Sequence, residues 1–314
     1  MIEDVSIEPI RISNSEIQTF KDCKRRWWLA YYRRLGSKTE KMTGALALGS
    51  RIHEALDMYY STGVPLLDAH RSLVEADAAK LEAQGRDVFD LEAEADLGRI
   101  MLEGYLEWVE ENGIDAELET ISNEEIIEMP LLDGRVILQG KIDMRVRRKA
   151  DGVRLFRDFK TVSGSFTDFG ANAHMNEQFM TYMMLEFAQN KEGERSEGGI
   201  FTMLKKVKRT ARSTPPFYEQ IEVRHNVFTM RSFWIRIHGV LNEMLAARDA
   251  LDAGGDHREI VYPHATKDCK WKCTFFSICP MFDDGSAVEA SIEDNFSQKD
   301  PYSYYGVEEK KGNE

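Results

Sequence analysis

The chain has 314 residues, enough to bury a substantial core as one elaborated domain or two. Its formal net charge of −13 argues at first against a nucleic-acid partner, and its start, Met1 to Pro9, is acidic and lacks the apolar run of a signal peptide. No stretch approaches the roughly 20 apolar residues that a membrane span needs, so a soluble protein of a reducing compartment with no membrane partner is expected.

Ser13 or Ser15 can cap a first helix that carries Ile17, Phe20, Trp27 and Tyr31 at helical spacing, with Cys23 on or beside that face. A second helix is expected through Leu48, Ile52, His53, Leu56 and Tyr60. Residues 66–112 read as two long acidic helices, with Leu97, Ile100, Met101, Tyr105 and Trp108 as a buried stripe and outer faces that look like a solvent-facing insertion. The acidity is concentrated, because Glu75 to Glu128 hold eighteen Asp and Glu against three Lys and Arg. Basic runs lie elsewhere: Lys21, Lys24, Arg25, Arg26, Arg33 and Arg34; Arg145, Arg147, Arg148 and Lys149; Lys205, Lys206, Lys208, Arg209 and Arg212. Local stripes, not net charge, make a phosphate-tracking groove, although each run alone also suits a solvated face.

From Glu124 the period switches to strands. Asp133-Gly134 marks a turn between Ile126–Leu131 and Arg135–Gly140, and Asp151-Gly152 marks a second hairpin. Helices resume around His174–Ala188 and Val227–Leu251, the latter with Phe228, Trp234, Ile237, Leu241 and Leu245 facing inward; a strand, Gly199–Val207, lies between them. After Pro280 the tail is polar, and its last residues are expected to be mobile. No internal repeat or low-complexity tract is present.

The second hairpin carries chemistry. With a two-residue loop at Asp151-Gly152, Asp143 would face Lys160 and Arg145 would face Asp158. Alternation puts Lys141, Asp143, Arg145 and Arg147 on one face with Arg154, Phe156, Asp158 and Lys160, and Ile142, Met144, Val146, Val153, Leu155 and Phe159 on the other. Two carboxylates on one face repel unless a cation sits between them, and a neighbouring lysine can then orient or deprotonate a water. An ordinary face with cross-strand ion pairs is the alternative. Cys23 and the trio Cys269, Cys273 and Cys279 form a second constellation, with 245 cysteine-free residues between them. One distant thiol plus a tight C-x3-C-x5-C trio suits four thiolates on one metal centre, either iron–sulfur or tetrahedral zinc; unrelated buried thiols are the alternative.

Gly140-Lys141-Ile142-Asp143 followed by Asp158-Phe159-Lys160-Thr161 resembles the catalytic hairpin of the PD-(D/E)xK nuclease superfamily. Gln178 and Tyr182 resemble the Q-x-x-x-Y element of its RecB-like branch, and Gly49 to His53 resembles that branch's helix-borne histidine. The Cys23 helix and the Cys269–Cys279 segment resemble the opening and closing cysteines of its iron–sulfur members, such as AddB-type domains, CRISPR-associated adaptation nucleases and stand-alone phage exonucleases. The resemblance spans roughly residues 13–280. Asp158 departs from it where many members have Glu, and C-x3-C departs from the commoner C-x2-C.

The resemblance implies an α/β (α+β), restriction-endonuclease-like core, in which a central mixed sheet is flanked by helices. The expected segments are N-terminal helices (1–61), an acidic helical insertion (62–118), the nuclease core (119–262), a cysteine segment (263–284) and a polar tail (285–314). It implies His53, Asp143, Asp158 and the Phe159 carbonyl as ligands of magnesium or manganese. Lys160 would position water or balance charge, and Gln178 and Tyr182 would touch the substrate strand or brace Lys160. A further acid on the preceding strand would be Glu125 or Glu128. Without the resemblance, His53 would read as a core histidine and Gln178 and Tyr182 as helix-surface residues. Lys205, Lys206, Lys208 and Arg209 could track phosphates, and Trp27, Trp28, Phe217 and Tyr218 could stack bases, although core packing suits the tryptophans better. The implied clasp is a 4Fe–4S cluster on Cys23, Cys269, Cys273 and Cys279, with zinc second.

The implied activity is a DNA exonuclease acting on single strands or duplex ends, 5′ to 3′ by analogy, in recombination, repair or phage DNA processing. Its place would be the cytoplasm of a bacterium or of a phage host, beside a recombinase, helicase or integrase. A subunit active only with such a partner, or an inactive DNA-end clamp, are the competing readings.

Overall fold

A computed structural model describes residues 8–305 with the exception of Glu40 and Gly193. The expected mobility of the last residues falls on 306–314, outside the described residues.

In chain order the elements begin with β1 (Ile10–Ser13), α1 (Asn14–Asp22), α2 (Lys24–Trp27), a π-type turn (Trp28–Tyr32) and β2 (Leu35–Ser37). Three long helices follow: α3 (Ala45–Thr62), α4 (Leu66–Ala83) and α5 (Phe89–Asn112). Then come β3 (Leu118–Leu131), β4 (Val136–Arg148), β5 (Arg154–Val162), α6 (Phe166–Ala173), α7 (Glu177–Ala188), β6 (Ser196–Lys205) and β7 (Tyr218–Arg224). The chain continues through α8 (Val227–Asp252), α9 (His257–Ile260), α10 (Cys269–Lys272), α11 (Val288–Asn295) and β8 (Phe296–Gln298). This is a mixed α/β fold. Its main sheet has the order β1-β4-β5-β6-β7, with β3 also paired to β4, and a small sheet pairs β2 with β8. β1/β4 and β5/β6 are parallel; β4/β5 and β6/β7 are antiparallel. The described chain forms two compact units, one from 8–39, 128–139 and 231–305, the other from 41–127 and 140–230.

In the second unit the apolar face of the hairpin packs as its alternation requires. Met144, Val146, Val153, Leu155 and Phe159 bury against Leu48, Ile52 and Leu56 of α3 and Met101, Leu102 and Tyr105 of α5. The acidic helices thus join the core through their inner faces. α7 covers the opposite face, where the Phe156 ring lies 4.4 Å from Phe179 and 5.7 Å from Tyr182. That face is charged yet buried: Arg145 donates to Glu186 (2.5 and 3.1 Å) and Arg154 contacts Glu186 and Glu194.

The hairpin register differs from expectation. Met144 pairs Arg157 and Arg147 pairs Arg154, and Arg148 and Val153 close the ladder around a four-residue loop. Arg145 therefore faces Phe156 instead of Asp158, and Asp143 lies beyond the last paired residues instead of opposite Lys160. The Asp151 carboxylate, tied to Arg148 Nε and Nη2 (2.8–3.1 Å), favours the longer loop. The offset is two residues, so every side chain keeps its expected face.

In the first unit Ser13 caps α1, its hydroxyl accepting from the Glu16 N–H (3.3 Å). The single helix expected here is broken at Cys23, which is extended (φ −163°, ψ 111°) and whose sulfur accepts the His264 N–H (3.3 Å). Trp27 and Trp28 are core residues. On α8, Ile237, Leu241 and Leu245 are buried with Phe233 and Met244, but Phe228 and Trp234 are 79% and 41% exposed. The buried stripe passes through position 233 instead of 234, which the i, i+3/i+4 spacing to Ile237 allows equally. The polar tail is structured through α11 and β8, and Phe296 stacks on Phe275 (5.3 Å).

Candidate active site

The ladder between β4 and β5 ends at Met144–Arg157, and the site forms where the two strands part. Asp143 Oδ2 there accepts the Phe159 N–H (2.9 Å) in place of a strand partner and lies 3.4 Å from His53 Nδ1. α3 delivers His53 because it packs closely on β5: a Cβ at Gly49, one turn earlier, would lie 3.1 Å from Thr161 Oγ1. Asp158 on β5 is 2% exposed, and Lys160 Nζ sits 2.7 Å from its Oδ2.

Lys160 is held from the other side. Its ammonium donates to Gln178 Oε1 (3.0 Å), Gln178 Nε2 donates to the Tyr182 hydroxyl (3.0 Å), and that hydroxyl donates to the Lys141 carbonyl (2.8 Å). Gln178 and Tyr182 are thus linked to Lys160 in one hydrogen-bonded chain. Gly140 lets α7 come this close, since a Cβ there would fall 2.6 Å from Leu185 and 3.0 Å from the Tyr182 ring.

The electrostatics follow from burying two carboxylates together. Burial pushes Asp158 up, and the charge of Asp143 adds to it against Lys160. For Asp143 burial acts the same way, but the His53 hydrogen bond and charge, Lys160 and the Phe159 N–H prevail and hold it low. Burial disfavours protonated His53, yet its bond to Asp143 raises it above its ordinary value. Burial also works against the Lys160 charge, and the two aspartates outweigh it, so Lys160 is held as an ammonium.

A pocket of about 10 Å³, on the scale of one water or cation, is lined by His53, Asp57, Tyr60, Glu124, Asp143 and Phe159, among others. Glu124, not Glu125 or Glu128, is the acid that β3 brings here. Glu125 pairs with Arg145 (2.7 Å) and Glu128 with Arg11 (3.1 Å). Glu124 has a left-handed backbone (φ 48°) that breaks simple alternation, and it pairs with Lys141. Asp57 and Tyr60 are also lining residues that sequence reasoning missed, although their i+4 and i+7 spacing from His53 was legible.

The basic stretch after β6 is mostly committed within the chain. Lys205 Nζ lies over Phe166 (5.8 Å), and Lys206 contacts the Ala45 carbonyl (3.5 Å). Lys208 is 3.5 Å from Asp96, and Arg209 stacks on Phe217 (3.7 Å) and donates to Tyr218 (2.7 Å). Tyr218 is itself buried and bonds the Met101 carbonyl, so it is no base-stacking surface.

Among the described residues no three His, Cys, Asp or Glu side chains are drawn together as metal ligands. Donor chemistry and burial at the fork nonetheless fit a hard divalent cation, since two desolvated carboxylates stand beside an imidazole. The four cysteines are free and half-buried. Cys273 and Cys279 are raised by burial and feel the charge of Cys23, while Cys269 is lowered by the backbone N–H and hydroxyl of Thr266. Backbone N–H groups of His264 and Thr266 point at Cys23 and Cys269 (3.3 and 3.2 Å), which suits thiolates. Arg25, 1% exposed, ties this segment to the N-terminal helices by donating to Asp283 (2.6 and 3.1 Å) and to the Cys279 carbonyl (3.3 Å).

No helix among the described residues is long and apolar enough to cross a membrane. Comparison with curated proteins gives no match. A family model matches residues 11–280, a stretch that includes the parted hairpin and Gln178 and Tyr182, and the chain belongs to the PD-(D/E)XK nuclease superfamily, whose members are typically metal-dependent nucleases that bind DNA.

Proposed function

We propose that the protein is a metal-dependent DNA exonuclease acting on single strands or duplex ends, with polarity 5′ to 3′, in recombination, repair or phage DNA processing in a reducing cytoplasm. The observation that carries this reading is the convergence of Asp143, Asp158, Lys160 and His53 at the parted strands. His53, Asp143, Asp158 and the Phe159 carbonyl would hold magnesium or manganese. Bound there, the ion supplies Lewis-acid polarisation of a phosphate oxygen and acidification of water. Lys160, which the two aspartates hold as an ammonium in the metal-free site, would position the attacking water or balance charge on the phosphate in flight. Gln178 and Tyr182 keep that ammonium in place during the reaction. Lys205 and the residues after it contribute phosphate contacts only where their intramolecular bonds release them.

In the same proposal Cys23, Cys269, Cys273 and Cys279 hold a 4Fe–4S cluster of structural role, with zinc as the second possibility. The N–H groups aimed at sulfur support bound thiolates, and the choice of iron rests on the resemblance. Metal and labile-sulfide analysis of anaerobically prepared protein tests it; zinc without iron or sulfide would overturn the iron assignment.

End-labelled DNA incubated with the purified protein and manganese tests the activity. Shortening of the strand from one end is expected. Cleavage that appears only with an added helicase, recombinase or integrase would replace this reading with that of a dependent subunit. Uncut DNA under all conditions would leave an end-binding module.

A further inference from the structure

The unit that carries the cysteines contains a cleft of about 530 Å³ that borders Cys23 and whose other walls have no part in the proposed function. Its volume falls within the roughly 300–1,000 Å³ of small-molecule sites. Phe20 and Tyr262 supply rings to its walls, and Asp22, Lys24, Glu243 and His264 supply polar groups. Phe20 is buried, whereas Tyr262 is 53% exposed. The Lys24 ammonium lies over both rings, 5.1 Å from the Phe20 centroid and 5.8 Å from that of Tyr262, and 3.9 Å from Glu243 Oε2. His264 is anchored by contact of its Nδ1 with the Asp22 carbonyl (3.0 Å).

This pattern restricts the occupant. Acidic and basic side chains both line the cleft, so it favours no large net charge, unlike a phosphate-tracking groove. The exposed Tyr262 ring favours a flat π-system on the face that Lys24 does not cover, and the Glu243 carboxylate and Lys24 ammonium favour an edge with both donors and acceptors. An unpaired nucleobase has all of these properties, and a strand-processing nuclease presents one. We propose that this cleft receives a single unpaired base of the substrate DNA, stacked on Tyr262 with its edge against Lys24 and Glu243. The proposal rests on the nuclease reading and adds a base-holding site that the catalytic fork does not contain.

The test uses the full-length protein without divalent cations, so that strands bind uncut, and a ten-nucleotide DNA carrying one 2-aminopurine at successive positions. Binding should quench the probe strongly at one position. Tyr262→Ala should abolish that quench and weaken affinity by about tenfold, in line with the loss of one stacked base, whereas Tyr262→Phe should retain both. With metal restored, Tyr262→Ala should raise KM and leave kcat at saturating strand unchanged, and its thermal unfolding should match that of the parent. Affinity within twofold of the parent with an unchanged quench would overturn the proposal, as would quenching only by free 2-aminopurine nucleotide. The nuclease reading fails separately, if the parent with metal leaves every DNA substrate intact.

Discussion

Asp158 is nearly fully buried, feels the charge of a second carboxylate, Asp143, and is met by the Lys160 ammonium at 2.7 Å. Such a residue is retained for chemistry more readily than for stability. Asp158→Asn should therefore lower cleavage by at least roughly a hundredfold, since even groups that only orient a metal ligand cost ten- to hundredfold, while the melting temperature holds or rises. Steady-state cleavage alongside a thermal scan checks both halves; near-parental turnover would remove Asp158 from the centre. Tyr182 gives a milder case. Tyr182→Phe deletes the hydroxyl between Gln178 and the Lys141 carbonyl, and single-turnover assays should show kcat down by about tenfold with KM unchanged. An equal rise in KM would mean that Tyr182 touches the strand instead of bracing Lys160.

At the scale of elements, face was more legible than register. Alternation alone assigned Asp143, Asp158 and Lys160 to one face of the hairpin, and that survives any even shift. Loop length did not follow from Asp151-Gly152, because Arg148 captures Asp151 and draws the turn out to four residues, a contact that turn propensity does not encode. Glu124 was hidden for a related reason, since one left-handed residue inside β3 re-aims the side chain. The break at Cys23 has no glycine or proline to announce it, and β1, only four residues long, acquires its strand character by pairing with Val136–Gln139. The joint between the N-terminal helices and the cysteine segment makes its own prediction. Asp283→Ala leaves the buried Arg25 guanidinium without its half-exposed carboxylate and should cost about 1–2 kcal/mol, read as a lower denaturant midpoint together with faster alkylation of the metal-free cysteines. An unchanged midpoint would mean that the joint holds without this pair.

For the whole molecule, the response to pH has a buried contributor in Glu16. Burial raises its carboxyl above the ordinary range despite Arg248 and the Trp27 indole N–H, which donate to it at 2.9 and 2.8 Å. A folded value above the unfolded one means that the proton favours the fold. The contribution is full below the unfolded value and is lost as pH rises through the folded one. Glu16→Gln removes this titration, so the stability of the parent relative to the variant should grow as pH is lowered from 8 toward 4 in denaturant melts; a constant difference would show that Glu16 does not titrate with folding. The unit that houses Glu16 draws on three separate stretches of chain, and Arg25 near its start meets Asp283 near its end. During synthesis, the N-terminal helices must wait for that last stretch to leave the ribosome, a delay on the order of ten to fifty seconds at ordinary elongation rates. Through that interval the indoles of Trp27 and Trp28 have no final burial place, so the nascent chain exposes a sticky leading edge. Its yield in cells should therefore depend on chaperone capacity and elongation speed more than its finished stability would suggest.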